Sequence, residues 1–324
     1  MPLIPAQRKK GIQYVQGVEP VNSRLGDTWY NYENSMIYVY NGYEWVGVSE
    51  AYANKYGFSM GGHSGSYLST IDRIEFPFNS GTATKVGNLS GNRYFPASCN
   101  SNRYGFSMGG SGGGSAIDRI EFPFDSGTSE HVGNLTGNRY GQSGCNSSQN
   151  GYSMGGRTGS THFSTVDRIT FPFDSGTANH VGNLSSTSYL PAGCNSSQHG
   201  FSAGGYNGSA RISTIDRITF PFNSGTASHV GNLTGTRYLL AGCNSVYSGY
   251  IMGGHRGSYM SVIERIIFPF NSGTAFHVGN LSGTRAHFTG CNSVSYGYSM
   301  GGYTGSIYLS TIDRIEFPFD VGTA

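Results

Sequence analysis

Five cysteines, Cys99, Cys145, Cys194, Cys243 and Cys291, could in principle bind a metal, form disulfides or carry redox chemistry. Their spacing of 46, 49, 49 and 48 residues argues against all three. Thiolate metal sites and redox pairs need two cysteines close together, as in Cys-x-x-Cys, and no such pair occurs. Residues at equivalent places in stacked sheets lie about 10 Å apart, beyond the ~7 Å between Cα atoms that a disulfide spans. Five free thiols acting as small buried residues are therefore expected, with no metal and no cofactor. His131, His180, His229 and His277 recur with the same period, Lys85 standing in their place once; side chains spread at that interval cannot converge on one ion. Asp72, Asp118, Asp167, Asp216, Glu264 and Asp313 each precede an arginine, and a second set, Arg93, Arg139, Arg237 and Arg285, recurs with Ser188 replacing it once. A glycosidase uses one carboxylate pair, so a sixfold ladder reads as a repeated buried ion pair or turn clamp. The Asn-x-Ser/Thr of each complete unit, such as Asn88-Leu-Ser, follows from the repeat itself.

These residues ride on a repeat that dictates the elements around them. IDRITFPF at Ile215 returns as IDRIEFPF at Ile71, Ile117 and Ile312, as VDRITFPF at Val166 and as IERIIFPF at Ile263. Gly-Gly pairs fall at 61, 109, 155, 204, 253 and 301, in step with it. A period near 50 with several short strands per unit points to a β-propeller with one four-stranded blade per repeat. In the unit led by Arg237, the spacing predicts strands over YLLAGCNS (238–245), GYIMGG (249–254), SVIERIIFPF (261–270) and HVGNL (277–281), with a turn at NSGTA (271–275). Pro269 belongs at a strand end or bulge, since proline cannot donate to a ladder.

The Arg-led first strand, the second strand ending in Gly-Gly, and the third strand and turn before the fourth resemble kelch repeats over residues 36–324. The tryptophan usual in the outer kelch strand is absent, and HVGNL stands there. The resemblance implies an all-β, six-bladed kelch-like β-propeller, four antiparallel strands per blade, preceded by a short N-terminal segment (1–35). The last unit stops at FPFDVGTA, after its third strand, and the first lacks a Cys strand. MIYVY (36–40) and EWVGVSEAY (44–52) sit in register with the two missing strands, so a clasp joining the chain ends is expected; Asn41-Gly42, a type I′ turn signal, offers a separate hairpin over 36–47 instead.

Antiparallel strands sort the loops onto two faces. The turn FPF[DN]SGTA hardly changes between copies. The stretch after Gly-Gly, on the other face with the unit-to-unit connections, diverges: HSGSYLS at 63, SGGGSA at 111, RTGSTHFS at 157, YNGSARIS at 206, HRGSYMSV at 255 and YTGSIYLS at 303. The connections vary too, with Tyr94-Phe95, Tyr189-Leu190 and His287-Phe288. Aromatic faces with adaptable polar groups suit glycan or protein-surface recognition. The candidate binding residues are Tyr67, Arg157, His162, Phe163, Tyr206, Arg211, His255, Arg256, Tyr259, Tyr303 and Tyr308.

Composition excludes other classes. Net charge is +2 with 12% charged residues, which gives no basic stripe for nucleic acid. No apolar run approaches the ~20 residues of a membrane span, and MPLIPAQRKKGIQYV carries no secretory h-region, so no signal peptide is expected. GDTWYNYENSMIYVYNGYEWVGV (26–48) resembles a segment common near the start of phage tail-fibre and other virion proteins, and glycine-rich arrays with a Cys-Asn-Ser strand resemble tail proteins of marine and cyanobacterial phages. These resemblances imply a non-enzymatic virion appendage, made in the host cytoplasm, whose first segment docks onto other virion or tail proteins and whose propeller meets a host surface glycan or receptor. A purely structural tail or capsid-decorating part is the alternative of the same class. A propeller oxidase or lyase is the alternative of another; a galactose-oxidase-like site would need a Cys crosslinked to a copper-ligating Tyr, and the cysteines here are periodic.

Overall fold

The computed structural model describes residues 14–24, 27–31, 36–40, 45–48 and 55–324, and every regular element among them is a β-strand. Two units are distinguished, Met1–Tyr52 and Ala53–Ala324.

In the first unit, strands β1 (Tyr14–Val15), β2 (Thr28–Asn31), β3 (Met36–Tyr40) and β4 (Trp45–Val48) form one sheet in that order, with β1 parallel to β2 and the rest antiparallel. Trp29 is buried, stacks on Tyr38 at 4.6 Å and meets Trp45 edge-on at 5.7 Å. Its Nε1 donates to the Gln16 carbonyl at 2.8 Å. The clasp expected for 36–52 is corrected here: β3 pairs with β2 and β4, Tyr40 opposite Trp45, and the unit boundary falls after Tyr52 instead of after residue 35. The alternative hairpin is the pairing found. A partner a few residues away costs far less loop-closure entropy than one at the far end of the chain. Asn41-Gly42 and residues 49–54 lie outside the described residues.

Among its described residues the second unit holds six sheets of three or four strands in chain order, and a two-stranded ribbon of Arg157–Thr158 with Thr161–His162 inside the third repeat. Sheet one comprises Tyr56–His63, Tyr67–Glu75 and Thr84–Asn88; sheet two Ala97–Asn100, Tyr104–Met108, Ala116–Glu121 and Glu130–Asn134; sheet three Ser143–Asn146, Asn150–Met154, Thr165–Thr170 and Asn179–Asn183. Sheet four comprises Ala192–Asn195, His199–Tyr206, Arg211–Thr219 and Ser228–Asn232; sheet five Ala241–Asn244, Ser248–Met252, Val262–Ile267 and Phe276–Asn280; sheet six Thr289–Asn292, Tyr296–Met300 and Ile312–Glu316. All pairings within them are antiparallel and follow sequence order. The strands predicted after Arg237 are those of sheet five, and Pro269 lies beyond its third strand.

Each sheet packs on the next through the same contacts, and the sixth makes them to the first. The second-strand aromatic stacks on the first Phe of the next FPF: Phe58 on Phe122 at 5.4 Å, Tyr152 on Phe220 at 5.2 Å, and Tyr298 of sheet six on Phe76 of sheet one at 5.1 Å. The arginine after each third-strand acid reaches the following turn, as Arg73 to Asp125, Arg119 to Asp174 and Arg314 to Asn79. The Sγ of each cysteine packs on a second-strand glycine of the next sheet. A Cβ on Gly249 would sit 2.5 Å from Cys194 Sγ, and one on Gly57 would sit 2.6 Å from Cys291 Sγ. First strands approach backbone to backbone; a Cβ on Gly193 would fall 2.1 Å from the Gly144 carbonyl oxygen. This contact requires the small-residue Gly-Cys-Asn strand.

All five cysteines are free. Burial pushes the Cys194 and Cys291 thiols up to about 12. The acid and arginine ladders resolve into buried pairs: Arg93–Asp118 at 2.9 Å, Arg139–Asp167 at 2.8 Å, Arg237–Glu264 at 2.8 Å and Arg285–Asp313 at 3.0 Å. Each acid also takes the backbone N–H of the connection, as Asp167 does from Thr136 at 2.9 Å. Where Ser188 replaces arginine, Asp216 keeps only Ser185, whose N–H and hydroxyl donate at 2.8 and 2.6 Å.

Candidate binding face

The six divergent loops and the connections between sheets meet on one side of the second unit. The residue after the leading position, arginine in four connections and Ser188 in one, bridges to the residue after Gly-Gly in the next sheet, pairing Tyr94 with Ser111, Tyr140 with Arg157, Tyr189 with Tyr206, Tyr238 with His255 and Ala286 with Tyr303. Each bridge sets a connection side chain beside a loop side chain, so the rings form a chain of contacts. From sheet one the chain runs Tyr67, His63, Tyr94, His287, Tyr303, Tyr259, His255, Tyr238, Tyr206, His162, Tyr189 and Tyr140, with neighbouring ring centroids 4.9–6.2 Å apart. It breaks at sheet two, where the loop is Ser-Gly-Gly-Gly-Ser, and there Ser111 hydrogen-bonds the Tyr67 hydroxyl at 3.0 Å. Arg157 lies over Tyr189 at 4.2 Å and donates to the Tyr140 hydroxyl at 2.9 Å, while Arg211 covers Tyr238 at 5.6 Å.

Of the residues expected from sequence, Tyr67, His162, Tyr206, His255, Tyr259 and Tyr303 therefore stand in this aromatic belt, Tyr308 joins it 4.9 Å from Tyr303 and 5.5 Å from His63 between ring centroids, and Arg157 and Arg211 lie on it. Arg256 is exposed and lies across Gly235. Phe163 is half-buried, and its backbone ties the loop to Gly156 and Ser188. Residues not expected as site residues are His63, Tyr94, Tyr140, Tyr189, Tyr238 and His287. Tyr94, Tyr189 and His287 belong to the connections whose variation the sequence marks, although they were not among the candidate binding residues.

The following residue of each connection has left-handed backbone: Phe95 (φ 57°), Gly141 (71°), Leu190 (58°), Leu239 (63°) and His287 (62°). Four of these are not glycine, a conformation that costs on the order of 1 kcal/mol each or more. Backbone hydrogen bonds link them in series, Gly141 N–H to Phe95 O at 2.9 Å, Leu190 N–H to Gly141 O at 2.7 Å and Leu239 N–H to Leu190 O at 3.0 Å. Together with the first strands, these residues line a cavity of about 370 Å³. Gln142, 6% exposed, lines it with an unpaired Oε1. The Tyr94 hydroxyl is hydrogen-bonded to His287 Nδ1, and the Tyr308 hydroxyl meets His63 Nδ1 at 2.8 Å. Burial, with His255 and His63 adding to it, pulls the His287 imidazole down to about 4. Burial likewise raises the Tyr94 and Tyr189 phenols well above their ordinary range.

The opposite end is uniform. A cavity of about 310 Å³ is lined by Asn and Ser loops, and each Asn side-chain oxygen takes the N–H of the preceding Asn, from Asn100 through Asn146, Asn195 and Asn244 to Asn292 at 3.2–3.3 Å. Among the described residues no three His, Cys, Asp or Glu side chains group as a metal site.

The belt and the sheets beneath it define an all-β repeat unit with one chemically varied face. The solved structure of YjhT matches this architecture with a TM-score of 0.64 at 13% identity, over 81% of this chain and 91% of that one; at that identity the likeness is one of fold alone. No family model and no curated protein matches the chain.

Proposed function

We propose that the six sheets are blades of a six-bladed kelch-like β-propeller, and that its belt face binds a host surface glycan or receptor as the non-enzymatic recognition part of a phage virion appendage. The propeller reading is supported by the circular succession of contacts, in which Tyr298, Arg314 and Cys291 make to sheet one the contacts their counterparts make to the next sheet. The observation that carries the binding reading is the continuous run of tyrosine and histidine rings on the face where the repeats diverge. Exposed aromatic area is costly on a solvated loop, yet Tyr67 and Tyr308 are 41% and 48% exposed. Sugar rings stack on such faces, and several weak contacts add when a polymer spans them. The N-terminal unit, through its resemblance to virion segments, is the part that joins other tail proteins.

The test is adsorption. Tyr206→Ala, Tyr259→Ala and Tyr308→Ala are combined, the melting temperature is checked, and binding of the labelled protein to host cells is measured against a variant altered at the FPF turns. Loss in the first with retention in the second is expected. Unchanged adsorption of the belt variant overturns the assignment.

A further inference from the structure

The belt face has one charge sign. The divergent loops (63–68, 111–115, 157–163, 206–211, 255–260, 303–309) and the connections (89–96, 135–142, 184–191, 233–240, 281–288) contain no Asp or Glu. The connection arginines Arg93, Arg139, Arg237 and Arg285 are each neutralised by a buried carboxylate. Arg157, Arg211 and Arg256 have no carboxylate partner among the described residues. The acids are elsewhere: Asp125, Asp174 and Asp320 in the FPF turns, Glu75, Glu121 and Glu130 on the third and fourth strands, all exposed and all paired with Arg or Lys. The overall charge of +2 conceals this separation.

Each of the three arginines presents its cation differently. Arg157 sits over the Tyr189 ring and donates through Nε to the Tyr140 hydroxyl, contacts that position the guanidinium without neutralising it. Arg211 lies over Tyr238, and its Nε is buried with no hydrogen-bond partner. Arg256 lies free across the neighbouring connection at Gly235. A planar guanidinium matches carboxylate and phosphate oxygens in a two-pronged arrangement. Three such cations on successive sheets, three to five, with aromatic rings between them, match a chain in which sugar faces alternate with anionic groups.

Resting on the proposed recognition role, we infer that the belt takes an anionic polysaccharide, its sugar rings on the tyrosines and its acidic groups on Arg157, Arg211 and Arg256. Neutral glycans would leave the arginines without partners, and a cationic ligand would be repelled.

The full chain is titrated by affinity electrophoresis against polygalacturonate, dextran sulfate and neutral dextran at low and at 0.5 M salt. Retardation by at least one of the two anionic polymers, weakened by salt, with none by dextran, is expected; which polymer binds separates carboxylate from sulfate recognition. Arg157→Gln with Arg211→Gln and Arg256→Gln should weaken it at least tenfold. Arg256→Glu alone, at an exposed position, should weaken it several-fold. Equal retardation by dextran, no retardation by any polymer, or anionic binding undiminished in Arg256→Glu overturns the inference. Failure here alongside loss of cell adsorption in the tyrosine variant leaves the recognition role standing with a neutral ligand; retained adsorption in the tyrosine variant removes the role itself.

Discussion

The ring of Tyr298, in the last sheet, stacks on Phe76 in the first at 5.1 Å, and its hydroxyl accepts the N–H of Phe78 at 3.0 Å. Tyr152 does the same for Phe220 and Phe222, and Tyr250 for Phe317 and Phe319. The contact between the chain's last and first sheets is therefore built like those between neighbours in sequence. Tyr298→Ala should cost about 3–5 kcal/mol, as for other large-to-small changes in a core. Tyr298→Phe, which keeps the stack but removes the acceptor of a half-buried N–H, should cost about 0.5–1.5 kcal/mol. Urea denaturation measures both; a neutral Tyr298→Ala would show that the two sheets do not support each other.

Asp167 and Asp216 occupy equivalent places with different company. Asp167 faces Arg139 at 2.8 Å, whereas Asp216, with Ser188 standing where the arginine would be, has only Ser185 to donate. Removing Arg139 strands a buried carboxylate, so Arg139→Ala should destabilise by about 3–5 kcal/mol. Burial holds the Asp216 carboxyl above its ordinary value. A raised folded-state value means that its contribution is full below the unfolded pKa and is lost as pH rises through the folded one. Asp216→Asn should therefore be neutral or stabilising at pH 7, with its advantage shrinking towards pH 4. Melting temperatures of the two variants across that range decide it, and a large loss in Asp216→Asn at pH 7 would refute the comparison.

The thiols test the packing of sheet on sheet. Alkylation needs the thiolate, and burial has lifted Cys194 and Cys291 to about 12. Iodoacetamide at pH 8 should modify none of the four fully buried cysteines in the native protein and all five after denaturation, read by intact mass. Cys194→Leu should unfold the protein or lower its melting point sharply, because the Sγ already fills the space beside Gly249. Rapid native alkylation of Cys194 would contradict the packing.

The sheets were legible in the sequence because their period is written in residues with local consequences: β-branched third strands, Gly-Gly ends and small Cys-Asn strands. The paired acids and arginines were legible as a class, since only structure repeats sixfold. The N-terminal strands 36–40 and 45–48 were legible as strands but their pairing was not, because both their register with the distant repeat and the Asn41-Gly42 turn fit the sequence. The connections with Tyr94, Tyr189 and His287 were legible as varied, but not as half of the belt, because nothing local in Tyr-Phe or Tyr-Leu announces that the next residue turns left-handed. That backbone conformation is imposed by the neighbouring connection's hydrogen bonds, which only the assembled sheets supply.

His287 offers a pH test of the belt. It holds a left-handed position that Leu190 and Leu239 fill in other connections, and its Nδ1 is engaged by the Tyr94 hydroxyl. Burial brings its pKa down to about 4 from 6.5. The unfolded chain therefore binds a proton that the folded protein refuses between those values, and stability is full above pH 6.5 and falls as pH drops towards 4. His255 and His199 are also lowered by burial and add to the same slope. His287→Leu should fold, because leucine already occupies the equivalent positions, and should lose a distinct part of that acid slope while the remainder persists. Urea midpoints at pH 7.5, 5.5 and 4.5 give the slope, and the imidazole resonances should include one that stays in its neutral form at pH 5.5 in the parent and is missing from the variant. Equal slopes in parent and variant would mean that His287 is protonated freely and that the Tyr94 contact does not hold its proton-free nitrogen.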